Sequence, residues 1–200
     1  MSGSTSRSVS EPCPSIEEPP SNTQKMTGLD PATDEILEIA CIITTPDLQP
    51  LDDGFTTTVH VPASRLDQMG PWCTETHAAT GLTPAVLASK TTHEEAAANL
   101  FSYIKSHVKE PRKGLLAGNT VHMDRMFLAK QPYDAVVAYL HYRILDVSSL
   151  KEAARRWCGR EILHGVPRKK VGHRAMDDIL ESIEEARYYR EKIFAPTGKS

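Results

Sequence analysis

Residues 21–45 read SNTQKMTGLDPATDEILEIACIITT, and their second half decides the fold. EILEIACIITT, residues 35–45, is an Ile-rich apolar run bounded by turn residues, the pattern of a strand buried on both faces. The first half reads differently. SNTQK contains no apolar residue, and it turns abruptly into MTGLD, which looks like the exit of a catalytic strand joined to a solvated linker. A strand lying between two helix-covered faces needs apolar side chains on both. SNTQK is therefore not expected to fill a central place in a sheet.

Downstream, strands and helices alternate. FTTTVHV, residues 55–61, is β-branched and alternating, and Asp52-Asp53-Gly54 supplies a turn before it, so a hairpin-like pair with 35–45 is expected. GLLAG at 114–118 and RILDV at 143–147 read as two more short strands. Thr92 and Glu95 form a capping box ahead of a helix carrying Leu100, Ile104 and Val108 at helical spacing. Residues 148–158 form a second helix with Ser148 as candidate N-cap. A last helix over about 175–193 sets Ala175, Ile179, Ile183 and Ala186 on one face and ends before Pro196. This order specifies an α/β domain with a mixed central sheet flanked by helices. Residues 1–25, poor in large apolar side chains, are expected to be disordered. The domain spans 26–195, and 196–200 form a short tail.

Composition narrows the function classes. The chain has 200 residues and a formal charge of -3, which excludes a broadly basic surface for long nucleic acid. Its four cysteines, Cys13, Cys41, Cys73 and Cys158, contain no CxxC pair, and they read as reduced thiols of an intracellular protein. No apolar run approaches the roughly 20 residues that span a bilayer. The N-terminus carries no clear address.

Two constellations carry chemistry. Asp124, in GNTVHMDRMFL (118–128), follows a glycine-bounded strand and opens a helix, a common place for a metal ligand in open α/β sheets. The plain alternative is an acid complementing the helix dipole. In GHRAMDDILESIEE (172–185), His173 precedes the last helix and Asp178 lies in its first turn, which suits metal binding with general-base work. Asp177 reads as a solvated first-turn acid.

Together these pieces identify a resemblance. MTGLDPATDEILEIACIITT, MGPWCTETHAATGLT, AGNTVHMDRMFL, HYRILDVSSLKEAARRW and GHRAMDDILESIEEARYYR stand in the order found in oligoribonucleases. These are DEDDh-type 3'-to-5' exonucleases with a ribonuclease H-like fold. The resemblance implies a phosphodiesterase with two divalent ions, Mg²⁺ or Mn²⁺, held by hard oxygen ligands. It makes Asp124 and Asp178 metal ligands and His173 the base that deprotonates the attacking water. It also implies that Leu29 wedges against the terminal bases and that Trp72 and His77 pack around the nucleotides. Thr120, Arg143, Ser148 and Ser149 would lie near a 5' phosphate, favouring 5'-phosphorylated dinucleotides and other very short oligoribonucleotides. Tyr142 would reach across a homodimer interface. Taken singly, Trp72 also reads as core filler, Arg143 as a surface charge and Ser148 as a helix cap. The compartment implied is cytoplasm or mitochondrion, and no membrane partner is expected.

One motif departs from the family. There, MTGLD directly follows an apolar strand ending in Asp-x-Glu, and those two acids fall on Thr23 and Lys25. The exchange removes two negative charges and adds one positive. A unit-charge pair at about 4 Å is worth roughly 4 kcal/mol at an effective dielectric near 20, so metal binding is expected to fail or weaken severely. Three accounts follow. The chain is an incomplete gene product whose first strand was lost, or an impaired relative that binds short oligonucleotides or dimerises, or a nuclease with a rebuilt metal site.

Overall fold

The run at 35–45 becomes the longest strand among the described residues. In the computed structural model, which describes residues 20–167 and 174–195, β2 covers Ile36–Ile43 and is buried along its whole length. Around it stand β1 (Pro20–Met26), β3 (Phe55–Thr58), β4 (Leu116–Gly118) and β5 (Ile144–Asp146), in the order β3-β2-β1-β4-β5. The first three strands pair antiparallel, while β1–β4 and β4–β5 are parallel. The sheet is mixed, as expected.

Between and after the strands come α1 (Ala63–Leu66), α2 (Pro71–Ala79), α3 (Leu82–Ala88), α4 (His93–His107), α5 (Val121–Leu128), α6 (Asp134–Tyr139), α7 (Val147–Trp157), α8 (Arg160–His164) and α9 (Ala175–Tyr189). A π-helical turn, Arg190–Phe194, ends the described chain. The expected capping box opens α4: Thr92 Oγ1 accepts from Glu95 N, and Glu95 Oε2 accepts from Thr92 N.

Strand alternation sorts β2 between two cores. Ile39, Cys41 and Ile43 pack with Leu100 and Ile104 of α4, Phe127 and Leu128 of α5 and Val136 of α6. Ala40 and Ile42 face Ala175, Ile179, Ile183 and Ala186 of α9, the helix face read from the sequence. Cys41, Cys73 and Cys158 are free thiols, and Cys13 lies outside the described residues. Among the described residues no helix is long and apolar enough to cross a membrane.

One expectation is corrected. PSNTQKM is not a missing strand; as β1 it holds the centre of the sheet. The boundary drawn at 25/26 therefore falls inside a strand. The physical reason is the ladder. Pro20 to Met26 run opposite Ile43 to Ile36, with a register shift between Lys25 and Met26, and Ser21 pairs with Ala117 of β4. A ladder asks for backbone N–H and C=O groups, which polar residues offer as readily as apolar ones. The side-chain cost appears at Gln24. It is 5% exposed, and among the described residues neither its Oε1 nor its Nε2 has a hydrogen-bond partner.

Candidate active site

Three chain segments converge where β1 ends: the first turn of α5, the first turn of α9, and β1 itself. β4 delivers the chain to α5, where Asp124 sits in the first turn and is 7% exposed. Its Oδ1 accepts the backbone N–H of Gln24 at 2.9 Å. Burial pushes the Asp124 carboxyl up to about 7, against the pull of the Gln24 N–H and the Lys25 charge. Asp178 stands in the first turn of α9. Its Oδ2 is hydrogen-bonded and ion-paired to Lys25 Nζ, with the side chains 29% and 16% exposed. Asp177 beside it is exposed, in keeping with a solvated first-turn acid. Thr23 is the register partner of Ala40. His173 lies outside the described residues.

A second corner is built from hydroxyls. Thr120, just before α5, holds a left-handed backbone at φ 57°, a conformation that costs a non-glycine residue about 1 kcal/mol or more. Two acceptors hold its N–H: Asp146 Oδ1 at 3.0 Å and Ser148 Oγ at 2.9 Å. The Thr120 and Ser148 hydroxyls lie 3.1 Å apart, and Ser148 Oγ donates to Asn119 Oδ1 at 3.2 Å. Ser148 is not the N-cap of α7. Asp146 is, accepting the Ser148 N–H at 2.9 Å, because the helix starts at Val147 and needs its cap one residue earlier. Ser148 is thereby released to serve Thr120. Thr120, Ser148 and Ser149 line one cavity, of about 450 Å³, with His122, Asp146 and Trp157.

The remaining predicted residues divide by exposure. Leu29 is 73% exposed and Trp72 69%, so neither fills the core. His77 is buried, and its Nε2–H donates to Met26 O at 3.0 Å; the carbonyl can only accept, which fixes the tautomer. Burial lowers its pKa. His77 therefore ties α2 to the end of β1 instead of facing solvent. Tyr142 is exposed, with the Arg143 guanidinium 4.7 Å from its ring centroid.

Sequence reading missed Glu38. It lies on β2 opposite Lys25 and is 3% exposed. Its carboxylate is bonded to the Arg174 guanidinium and accepts the Ala175 N–H at 2.9 Å. A carboxylate at the N-terminus of α9 satisfies an orphan N–H and the helix dipole together, and it fixes the turn carrying Asp178. The signal was present: a charged residue inside EILEIACII needs a buried partner.

Comparisons with known proteins give the family and the fold. The sequence profile of an exonuclease family matches residues 26–186. The oligoribonuclease of Mycobacterium sp. (strain KMS) is 45% identical over 177 residues, covering 88% of this chain and 81% of that protein. That of Streptomyces avermitilis is 45% identical over 172 residues, covering 86% and 84%. The chain belongs to the oligoribonuclease family of 3'-to-5' exonucleases. Among solved structures, exonuclease I from Methylocaldum szegediense superposes with a TM-score of 0.64 at 16% identity. E. coli exonuclease I in complex with a dT13 oligonucleotide gives 0.64 at 17%. This chain spans 41% of the length of each, and at that identity the likeness establishes the ribonuclease H-like exonuclease fold alone.

The family implies divalent metal, and the residues present can be tested for it. They do not fit a two-ion oligoribonuclease centre. At the two positions where the resemblance expects the first pair of acids, the chain carries Thr23 and Lys25. Asp178 is already bonded to an ammonium, and Asp124 to a backbone N–H. Among the described residues, no group of three or more His, Cys, Asp or Glu side chains is placed to hold a metal ion.

Proposed function

We propose that this member of the oligoribonuclease family binds short 5'-phosphorylated oligoribonucleotides in the family groove but hydrolyses them poorly. The observation that carries the reading is the ion pair between Lys25 and Asp178. A fixed positive charge on an expected metal ligand opposes a cation by roughly 4 kcal/mol for each unit of the ion's charge at 4 Å, so each unit alone is equivalent to about 1,000-fold in an equilibrium or a rate. The rest of the groove supports binding. Leu29 and Trp72 offer exposed apolar and aromatic surface on which bases can stack. At the Thr120–Ser148 corner, where Ser148 Oγ donates to Asn119 Oδ1, the Thr120 hydroxyl can turn to donate to a phosphate. Exposed Arg143, stacked on Tyr142, adds a cation. In this reading Tyr142 also serves a homodimer, whose mass analytical ultracentrifugation measures directly.

The test is a turnover assay. The purified chain is incubated with a 5'-phosphorylated diribonucleotide and Mg²⁺ or Mn²⁺. Mononucleotide release is expected to stay near background. Robust release that disappears in Asp178→Asn would overturn the claim of impaired hydrolysis.

A further inference from the structure

We infer that Asn119 decides which hydroxyl reads the 5' phosphate: it claims the Ser148 proton and leaves Thr120 as the donor. The inference rests on the corner reading above and names the residue that sets the corner. Asn119 lies between the end of β4 and Thr120, and its amide meets three polar groups. Its Nδ2 is 2.9 Å from Ser182 Oγ and 3.3 Å from Glu185 Oε2. Neither oxygen can donate to it. Ser182 spends its one proton on Asp178 O at 2.7 Å. The Glu185 carboxylate, 2% exposed and 3.5 Å from Lys151 Nζ, accepts only. The amide nitrogen must therefore face those two oxygens, and Oδ1 must face Ser148.

A serine hydroxyl has one proton, and that of Ser148 goes to Asn119 Oδ1 at 3.2 Å. Toward Thr120, Ser148 Oγ offers lone pairs alone. One accepts the Thr120 N–H at 2.9 Å. The 3.1 Å contact between the two hydroxyls is then made by Thr120 donating. Of the pair, Thr120 holds the proton that can turn to another acceptor, and a charged phosphate oxygen is a stronger acceptor than a neutral hydroxyl. Both residues line the cavity described above, Thr120 exposed and Ser148 half-buried. Asn119 is thus a positioning residue for phosphate recognition. Through Ser182 it also ties this corner to the turn of α9 that carries Asp178.

The experiment compares 5'-phosphorylated and 5'-hydroxyl diribonucleotides by calorimetric titration of the full chain in Mg²⁺, with a phosphorothioate linkage that slows hydrolysis. The readout is the ratio of the two Kd values, which a general loss of folded protein leaves unchanged. Wild type should prefer the 5' phosphate by about tenfold or more. Thr120→Val keeps the branched shape and should remove most of that preference. Ser148→Ala should lower it by about threefold at most, through the acceptor lost to the Thr120 N–H. In Asn119→Ala the Ser148 proton is released and can serve the phosphate, so adding Thr120→Val there should cost less than about threefold. Thr120→Val costing the same in both backgrounds would overturn the inference. So would Ser148→Ala costing as much as Thr120→Val, a comparison that does not need Asn119→Ala to fold. A wild type that binds both ligands equally, or neither, sinks the corner reading itself, and this inference with it.

Discussion

β1 and β2 lie side by side in one antiparallel ladder, yet they hold their places by different means. β2 is specified by its side chains: every position is buried, and its two faces feed separate apolar cores. β1 is specified by its neighbours. It fills the slot between β2 and β4 through backbone pairing, while Gln24 buries an amide that has no partner among the described residues and Lys25 brings a charge to the junction. A central strand can thus be dictated by the sheet around it, and then its side chains are free to alter the chemistry at its end.

The sharpest way to break the comparison is to give β1 the family's acids. Thr23→Asp with Lys25→Glu restores the four-carboxylate set and removes the ion pair with Asp178. Hydrolysis of a 5'-phosphorylated diribonucleotide in Mn²⁺ should rise by about 1,000-fold, measured as mononucleotide release. A rise below tenfold would mean that β1 differs from a working first strand in more than two side chains.

Next come two facing residues, Ile39 and Gln24, which are register partners. Ile39 is fully buried in the larger core, so Ile39→Ala should cost about 2–5 kcal/mol, read from urea denaturation. Gln24→Met should do the opposite. It removes an unsatisfied buried amide from the same ladder, and a gain of about 1–3 kcal/mol is expected. Equal losses at both positions would show that Gln24 is satisfied in solution and that β1 is as well specified as β2.

That contrast also explains what was legible in the sequence. EILEIACIITT, FTTTVHV and the 175–186 face announced themselves because periodicity and burial agree there. Asp124 and Asp178 were legible from their place at the opening of helices, and both reach the junction beneath β1. β1 itself was not legible, because its pairing lies in backbone groups that carry no sequence signature. Glu38 was visible as an anomaly in an apolar run, but its partners, Arg174 and the Ala175 N–H, stand more than 130 residues away. Ser148 shows the opposite error. It fits the N-cap preference well, yet Asp146 takes the cap, and nothing local distinguishes the two.

The smallest expected effect concerns how β1 is held at its exit. His77 donates through Nε2 to Met26 O, while its Nδ1 is buried and has no hydrogen-bond partner among the described residues. A proton added at Nδ1 would find no acceptor among the described residues, and burial and the nearby Lys25 charge also disfavour the imidazolium. The folded-state pKa therefore lies below the ordinary 6.5. On acidification the unfolded chain takes up this proton first, so the contribution of His77 to stability is present above about pH 6.5 and fades as the pH drops through the folded-state pKa. His77→Gln keeps a donor for Met26 O and removes the titration. The stability difference between wild type and His77→Gln, followed by thermal melts from pH 7.5 to 5, should move against the wild type as the pH falls. A difference that stays flat would mean the ring opens to solvent. The exit of β1 would then be held by the ladder alone.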